Sequence, residues 1–350
     1  MQSSQMFPLK ADTDQQIEFL ANILDFDARK NKITLKKLTG GITNAVFKLN
    51  VNSKKYIVRI YGNNTDEIID RKREQEHIST INLITIYATF GNGMIVSYVE
   101  GRSIDLPMMS DPAISPRIAK AIAKFHKATY FKDGFGQINH QNEIFSNIKI
   151  FLQGLKPDFI HKKTGQKIDI GFLEKTFISL QDELSDLMKD SKICLCHNDL
   201  LSGNFLWDGD NEVNVCDYEY SSYTWPEFDI ANHFFEYCGF QCDLSRFPST
   251  KNQRNFVINY LSELYGVSNE EILKNEKYIK MIDNWLKKIN LLVKLSNFFW
   301  GAWAYFQAIN SDVDFPYFEY AQTRIKLMDY QFPLIKNEPM LIGPLVSINQ

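Results

Sequence analysis

The sequence predicts an α+β fold with two lobes: a small antiparallel sheet lobe over residues 1–100 and a larger, mainly helical lobe over residues 101–350. Three observations support this prediction. Between residues 33 and 101, apolar side chains alternate with polar ones, and turn motifs separate the runs. Beyond residue 101 the apolar positions recur with the period of a helix. A length of 350 residues with 44% apolar content is enough for a sizeable core.

The sheet lobe contains a predicted hairpin. Two alternating runs flank the turn sequence NSKK at residues 52–55, and their apolar positions are Phe47, Leu49, Val51, Tyr56, Val58 and Ile60. A charged helix is expected over residues 66–81. Residues 84–101 then form two further strands joined at Gly91-Asn92-Gly93. The lobe is therefore expected to be a short antiparallel sheet with one helix.

The helical lobe starts after a short hinge at residues 98–101. Ser115 is the expected N-cap of its first long helix, with Pro116 in the first turn. Ile118, Ile122 and Phe125 recur on one face of that helix. Residues 283–310 and 317–330 are further helical segments. Ligands commonly bind between two such lobes, so the cleft is the expected ligand site.

Composition and charge indicate which classes of partner and which cellular compartment to expect. The net charge of −3 provides no basic field for nucleic acid or an anionic membrane. Polar residues interrupt the longest apolar stretch, residues 291–309, which therefore indicates a buried helix and no transmembrane segment. The five cysteines lack zinc-type pairs, and residue 1 is not followed by a basic and apolar signal segment. A cytoplasmic protein is the simplest expectation.

The stretch CHNDLLSGNFLWDG, residues 196–209, carries the residues that point to a reaction. His197, Asp199 and Asn204 follow the pattern H-x-D-x-x-x-x-N, and Asp217 follows an apolar run at residues 213–216. Phosphoryl transfer from ATP with Mg²⁺ needs a base near the acceptor hydroxyl and hard oxygen ligands for the metal. Asp199 is suited to be the base, and Asn204 and Asp217 to be the ligands. The alternative is a polar turn with a surface acid, but the ordered set favours phosphoryl transfer.

The sheet lobe offers a candidate phosphate-binding turn in LTGGITNAVFKL, residues 38–49. Two glycines lie between strands, where exposed backbone N–H groups can approach a phosphate. A glycine pair in a hairpin is more often simply a turn, so the motif is weak by itself. The candidate nucleotide contacts are Gly41, Ile42, Thr43 and Asn44.

Arg59 is the candidate cation for the ATP phosphates. It lies on the strand face opposite Val58 and Ile60, so it can point into the cleft. The alternative is a solvated strand charge. A helix carboxylate, Glu74 by preference or Glu76, is expected to hold the guanidinium in place.

Four segments together resemble the choline and ethanolamine kinases, small-molecule relatives of the protein kinase fold. They are CHNDLLSGNFL, VCDYEYSSY, FDIANHFFEYCGF and SNFFWGAWAYFQA, and the similarity runs from about residue 38 to residue 330. The resemblance implies a two-lobed protein-kinase-like fold with ATP and Mg²⁺ as cofactors. It makes Asp199 the catalytic base, Asn204 and Asp217 the magnesium ligands, and Arg59 the substitute for the kinase lysine. It also assigns the adenine site to the hinge backbone from Ser97 to Val99.

An amino-alcohol substrate carries one cation and one hydroxyl. Its site should combine carboxylates and aromatic faces for the cation with a base for the hydroxyl. The candidate substrate residues are Glu219, Tyr220, Glu236, Trp300, Trp303, Phe315 and Tyr320. Two tryptophans three residues apart are usually core, but their position in the family's substrate motif favours a wall for the cation. His126, His197 and His233 are expected to be scaffold residues, and no zinc site is implied.

Ethanolamine is the favoured substrate, with phosphoethanolamine for phospholipid synthesis as the product. Cys238 and Gly239 stand where choline kinases tend to carry bulkier residues, and a primary ammonium favours a smaller pocket with carboxylates. A choline kinase or a dual enzyme is the first alternative. An antibiotic phosphotransferase is more remote, and so is an inactive binding module, because the base and both metal ligands are present. A homodimer is possible.

Overall fold

The computed structural model of the chain describes residues 2–38, 44–62, 70–131 and 142–330. Its N-terminal part contains a five-stranded antiparallel sheet in the order β1-β2-β3-β5-β4. The strands are β1 (Ile33–Lys37), β2 (Ala45–Val51), β3 (Lys54–Ile60), β4 (Ile86–Phe90) and β5 (Gly93–Ser97). Both predicted hairpins, β2–β3 and β4–β5, are therefore present.

The two faces of this sheet have different partners. Phe47, Val58 and Ile60 face an apolar cluster that includes Leu20 of helix α1 (Thr13–Leu24). Arg59 is paired in register with Val46 and Met94 on the opposite face, because successive side chains of a strand alternate. Helix α1 was not predicted, although the Asp12 side chain caps it by accepting from the Gln15 N–H.

Helix α2 (Arg71–Ile81) packs against strand β4. Asp70 caps it, accepting from the backbone N–H groups of Lys72 and Arg73. The helix thus begins at residue 71, and the first four residues of the predicted segment, 66–69, lie outside the described residues. Glu74, His77 and Ile78 are buried.

The rest of the described chain is mainly helical. Its helices are α3 (Leu106–Met109), α4 (Ser115–Tyr130), α5 (Glu143–Gln153), α6 (Ile170–Leu187), α7 (Pro226–Glu236), α8 (Thr250–Tyr265), α9 (Asn269–Lys274), α10 (Glu276–Asn310) and α11 (Tyr317–Lys326). Short strands interrupt them: β6 (Arg102–Ser103), β7 (Cys194–Cys196), β8 (Phe205–Trp207), β9 (Val213–Val215) and β10 (Ser222–Thr224). Strand β8 pairs with β6 and β9, and β7 pairs with β10. The division at residue 100 stays a prediction.

The start of α4 differs from the prediction. Ser115 is the first helical residue and not the cap, because Ile114 before it already has helical backbone angles and makes no side-chain cap. The Ser115 N–H bonds to the Asp111 carbonyl, so a preceding turn leads directly into the helix. Ile118 and Phe125 are buried as predicted.

Two helices form the centre of the helical part. All eleven residues of α7 are buried, and α10 packs against it. Helix α10 begins seven residues earlier than predicted, where Asn275 caps it by accepting from the Lys277 N–H. Within the described residues, no helix combines the length and the apolar character needed to cross a membrane.

Candidate active site

Helix α7 holds the loop that follows strand β7. The buried carboxylate of Asp229 accepts from the backbone N–H of His197 at 2.8 Å and of Asn198 at 2.7 Å. Asn198 has a φ of 66°, a left-handed conformation that needs local support. Asn232 supplies it by donating its side-chain N–H to the Asn198 carbonyl at 3.0 Å. These bonds fix the position of Asp199, the next residue.

The three histidines predicted as scaffold residues make hydrogen bonds inside the core. His126 lies between the Tyr260 hydroxyl at 2.7 Å and Asp229 at 2.8 Å. The His197 ring contacts the Cys216 carbonyl at 3.0 Å. Nδ1 of His233 lies 3.0 Å from the Leu200 carbonyl, and burial lowers the pKa of His233 to about 4. All three rings are buried, which agrees with the predicted role.

One cluster in the described part of the chain has the composition of a metal site. Potential ligand atoms of His126, Cys194 and Cys196 lie within 4.8 Å of one another. Both nitrogens of His126 are already hydrogen-bonded, and burial raises the pKa of both thiols. These groups therefore belong to the scaffold.

Asp199 is held by Asn204, which ends the 3₁₀ turn at residues 202–204. The Asn204 Nδ2 group donates to the Asp199 carbonyl and to its Oδ2, both at 2.8 Å. Burial raises the pKa of Asp199 well above its usual value, and the charges of Asp217 and Glu236 raise it further. This carboxylate therefore accepts a proton more readily than an exposed aspartate does.

Asp217 lies beside this loop because strand β9 runs back towards it. The Cys216 N–H donates to the Asn204 carbonyl at 2.9 Å, which joins the two segments. Asp217 Oδ1 lies 2.9 Å from Arg59 Nη2. The two groups form an ion pair, but their relative orientation is not that of a hydrogen bond. Burial raises the pKa of Asp217, and Arg59 opposes that effect.

Arg59 is a buried cation surrounded by carboxylates. It contacts Glu74 through Nη1, and its Nη2 lies 2.5 Å from Glu219 and 2.9 Å from Asp217. Burial lowers the pKa of this guanidinium, but the charges of Asp217, Glu74 and Glu219 raise it, and the net pKa lies above its usual value. Glu74 is thus the helix partner, as preferred, whereas the exposed Glu76 lies 3.9 Å from Lys72.

The structure places Glu219 in the charged group around Arg59. Its Oε2 lies 3.4 Å from Arg71 and accepts from the Asn44 side chain at 3.0 Å, besides its contact with Arg59. Glu219 therefore belongs to the charged group between sheet and helices, and its charge also raises the pKa of Asp199, so its role at the substrate cation stays a prediction. Arg71, which stacks on the Tyr61 ring at 4.1 Å, was not predicted, because it lies in a run of charges typical of an exposed helix face.

The remaining nucleotide candidates are only partly described. Gly41, Ile42 and Thr43 lie outside the described residues. The Ser97 N–H donates to the Thr85 carbonyl at 2.9 Å, so this group is used within the sheet. The carbonyl of Ser97 and the backbone of Tyr98 and Val99 stay candidate adenine contacts.

The structure brings the predicted aromatic residues together. They form, with one residue that was not predicted, an aromatic cluster of Tyr220, Trp300, Trp303, Phe315, Tyr317 and Tyr320. The rings of Trp300 and Trp303 are 5.1 Å apart, and the Trp303 Nε1–H donates to the Tyr220 hydroxyl at 2.9 Å. The Trp300 Nε1–H donates to Asn232 Oδ1 at 2.8 Å, which ties the cluster to the helix that holds the Asp199 loop.

Glu236 lies at the edge of this cluster. Its Oε1 accepts from Arg324 Nη1 at 3.1 Å, and the same nitrogen donates to the Tyr320 hydroxyl at 2.8 Å. The charge of Glu236 also raises the pKa of Asp199, so the two carboxylates are within electrostatic reach. The site thus combines a basic carboxylate with an aromatic cluster that has its own negative charge.

Known proteins resemble this chain over most of its length. A family model described as choline/ethanolamine kinase matches residues 35–329. The Arabidopsis thaliana protein named "Probable ethanolamine kinase" is 32% identical over 311 residues, which cover 86% of this chain and 80% of that protein. Mus musculus "Ethanolamine kinase 1" is 29% identical over 305 residues, covering 84% and 82%.

The fold is also found in a solved structure. A Plasmodium vivax ethanolamine kinase superposes with a TM-score of 0.73 at 25% identity, covering 91% of this chain and 89% of that one. This similarity confirms the predicted α+β, protein-kinase-like fold class with its small antiparallel sheet and larger helical part.

Proposed function

This chain belongs to the choline/ethanolamine kinase family, and from that membership we propose that it transfers the γ-phosphoryl group of ATP to the hydroxyl of ethanolamine. The enzyme class, an ATP-dependent small-molecule kinase, follows from the family. The observation that carries the proposal is that Asn232 joins the two parts of the site: its side-chain N–H donates to the carbonyl of the residue before Asp199, and its Oδ1 accepts from Trp300 of the aromatic cluster. A two-carbon amino alcohol needs a base for its hydroxyl and, beside it, a site for its cation.

Asp199 is the proposed base. The hydrogen bonds from Asn204 fix its carboxylate, which accepts the hydroxyl proton as the new O–P bond forms and the γ-phosphoryl bond to ADP breaks. The covalent demands on the protein are otherwise small, because most of the catalysis lies in positioning and in charge stabilisation.

The family uses a nucleotide and a divalent metal, and we propose Mg²⁺ as that metal. Two side chains fit this metal. Asp217 Oδ1 accepts no hydrogen bond from the described residues. Asn204 donates its Nδ2 group to Asp199, so the Oδ1 atom of Asn204 is left to bind the ion. Both are hard oxygen donors of the kind that Mg²⁺ prefers. Glu219 is a further carboxylate beside them. When bound, the ion neutralises the phosphate charge.

The nucleotide contacts are also proposals. Arg59, already buried and charged, is placed to balance the phosphates, and Asn44 lies between strand β2 and the predicted phosphate turn of Gly41, Ile42 and Thr43. The Ser97 carbonyl and the Val99 N–H are the proposed adenine contacts.

The proposed cation site consists of Glu236 with Tyr220, Trp300, Trp303, Phe315 and Tyr320. A primary ammonium donates three hydrogen bonds, so a carboxylate at the cluster favours ethanolamine, whereas a quaternary ammonium depends on aromatic faces. The names of the relatives described above point the same way. A dual enzyme that also accepts choline is the alternative, since the aromatic faces suit both cations.

Three broader expectations remain proposals. A cytoplasmic location agrees with five cysteines that are all free thiols. The division of the chain at residue 100 rests on the change from strand-like to helical periodicity, and the homodimer is a proposal without a structural observation behind it.

A substrate panel tests the proposed function. ADP release is measured with ethanolamine, choline, an aminoglycoside and no acceptor, each over a range of acceptor concentrations. We expect the highest kcat/KM for ethanolamine. A higher value for choline would overturn the substrate assignment, and a higher value for the aminoglycoside would overturn the proposed acceptor class.

A further inference from the structure

Arg324 is a fully buried cation beneath the proposed substrate site. Its side chain has an exposed fraction of 0%, so it cannot touch a bound substrate without rearrangement. Its guanidinium lies over the Phe235 ring at 4.1 Å. Burying a charge is costly unless the charge is paired and hydrogen-bonded, so the contacts of Arg324 must compensate for a large desolvation penalty.

Those contacts join three helices. Nη1 donates to Glu236 of α7 and to the Tyr320 hydroxyl of α11. Nη2 donates to the Ser296 carbonyl of α10 at 3.2 Å and to its hydroxyl oxygen at 3.3 Å. The planar guanidinium thus sets the relative positions of one carboxylate and one aromatic ring, which a lysine could not do with a single flexible ammonium.

A second link extends this arrangement to the tryptophans. The Ser296 hydroxyl donates to Asn232 Oδ1 at 3.1 Å, and Asn232 Oδ1 also accepts from Trp300 Nε1. Arg324 therefore reaches three members of the proposed cation site: Glu236 and Tyr320 directly, and Trp300 through two hydrogen-bonded side chains.

We propose that Arg324 is a positioning residue that fixes Glu236 with Oε1 turned inward and Oε2 presented to the ammonium group of the substrate. Among the described residues, Oε1 accepts from Arg324 and Oε2 accepts no hydrogen bond. The inference rests on the proposed function, because it assigns the ammonium to the free oxygen. It also has a consequence for specificity.

That consequence concerns the type of cation. A primary ammonium forms a directional, charge-assisted hydrogen bond, which depends on where the carboxylate oxygen points. A quaternary ammonium has no N–H to donate and is held by ring faces. Loss of the Arg324 contact should therefore impair the use of ethanolamine more than the use of choline.

Two substitutions test the role of Arg324. Arg324→Met removes the charge and the donors at similar length, and Arg324→Lys keeps the charge without the fork. Since loss of a charge-assisted hydrogen bond changes affinity by roughly ten-fold or more, we expect at least that rise in the KM for ethanolamine with Arg324→Met. The KM for ATP should stay within about two-fold, and Arg324→Lys should be intermediate.

The chain offers a matched control. Arg254→Met removes another arginine, one that pairs with Asp283 at 2.6 Å. That pair is more accessible to solvent, because the exposed fractions of the Arg254 and Asp283 side chains are 26% and 58%. Asp283 lies seventeen residues before Trp300 in α10, about 25 Å along the helix. Both KM values should be unchanged in this control. Thermal unfolding of each variant separates loss of folded protein from loss of affinity.

A double-mutant cycle decides whether Arg324 acts through Glu236. Glu236→Gln removes the carboxylate, so adding Arg324→Met, or Arg324→Lys if the first variant does not fold, should raise the ethanolamine KM little further. Equal effects with and without Glu236→Gln, equal losses for ethanolamine and ATP, or failure of both arginine variants to fold would overturn the proposal. A wild type that does not phosphorylate ethanolamine would overturn the proposed function as well.

Discussion

Replacing Trp303 by alanine separates a wall for the cation from a packing role. Trp303 is 8% exposed, its ring lies 5.1 Å from that of Trp300, and its Nε1–H donates to the Tyr220 hydroxyl. Loss of a cation–aromatic contact in a desolvated site costs about 0.5 to 2 kcal/mol, which corresponds to a two- to thirty-fold rise in the KM for the amino alcohol. The KM for ATP should be nearly unchanged.

Truncation of a buried tryptophan also destabilises a protein, by about 3 to 5 kcal/mol. Trp285→Ala is the matched control, because Trp285 is equally buried in the same helix and packs against the Tyr260 ring at 5.1 Å. It lies eighteen residues before Trp303, about 27 Å along α10. Both variants should unfold at lower temperature, but only Trp303→Ala should raise the amino-alcohol KM.

The assay is steady-state ADP release with ethanolamine and ATP varied in turn, at a temperature below the unfolding transition of both variants. Equal changes in the two KM values for Trp303→Ala, or the same amino-alcohol effect for Trp285→Ala, would refute the cation wall and return Trp303 to the core.

The remaining predictions concern the base, the metal and the core. Asp199→Asn should lower kcat by about two to four orders of magnitude while ATP still binds, as a nucleotide titration would show; near wild-type turnover would remove Asp199 from this role. Asp217→Ala should weaken metal-dependent ATP binding, and an unchanged metal titration would contradict the assignment. In the unfolded chain His233 becomes protonated below its ordinary pKa of 6.5, whereas in the folded protein it stays neutral down to about pH 4. The free energy of unfolding should therefore fall by about 3 kcal/mol as the pH falls from 6.5 to 4. His233→Asn, which can keep the bond to the Leu200 carbonyl, should lose that much less free energy of unfolding between pH 6.5 and pH 4 by denaturant titration; an equal loss would disprove the assignment.

Alternation and turn chemistry predicted the sheet part well. The apolar positions of strands β2 and β3 fixed both the hairpin and the direction of Arg59, because a side chain between Val58 and Ile60 must point to the other face. The same local reasoning failed at Ser115, where the preceding turn at residues 111–114 replaces the expected cap. Whether a residue caps a helix depends on the backbone conformation before the helix. Residue type alone does not determine that conformation.

The chemistry-bearing residues were predictable where a motif is local. Asp199 and Asn204 are five residues apart, and their contact follows from one short loop. Arg324 could not be predicted, because its sequence neighbours Thr323 and Lys326 are typical of an exposed helix face. Only the packing of α11 against α7 and α10 buries it beside Glu236.

The contacts of Glu219 could not be predicted from its sequence neighbours either. Its position two residues after Asp217 suggested the substrate cation, but the partner that decides its place, Arg59, is 160 residues away in the chain. A buried arginine attracts every carboxylate within reach, and sequence spacing does not reveal which ones these are.

The position of the transferred phosphoryl group directly tests whether this protein phosphorylates the hydroxyl of ethanolamine. Wild-type protein, ATP, Mg²⁺ and ethanolamine are followed by phosphorus nuclear magnetic resonance together with ADP formation. We expect a phosphate monoester on the ethanolamine oxygen that appears in step with ADP. Formation of inorganic phosphate alone, or of a phosphoramidate on the nitrogen, would contradict it.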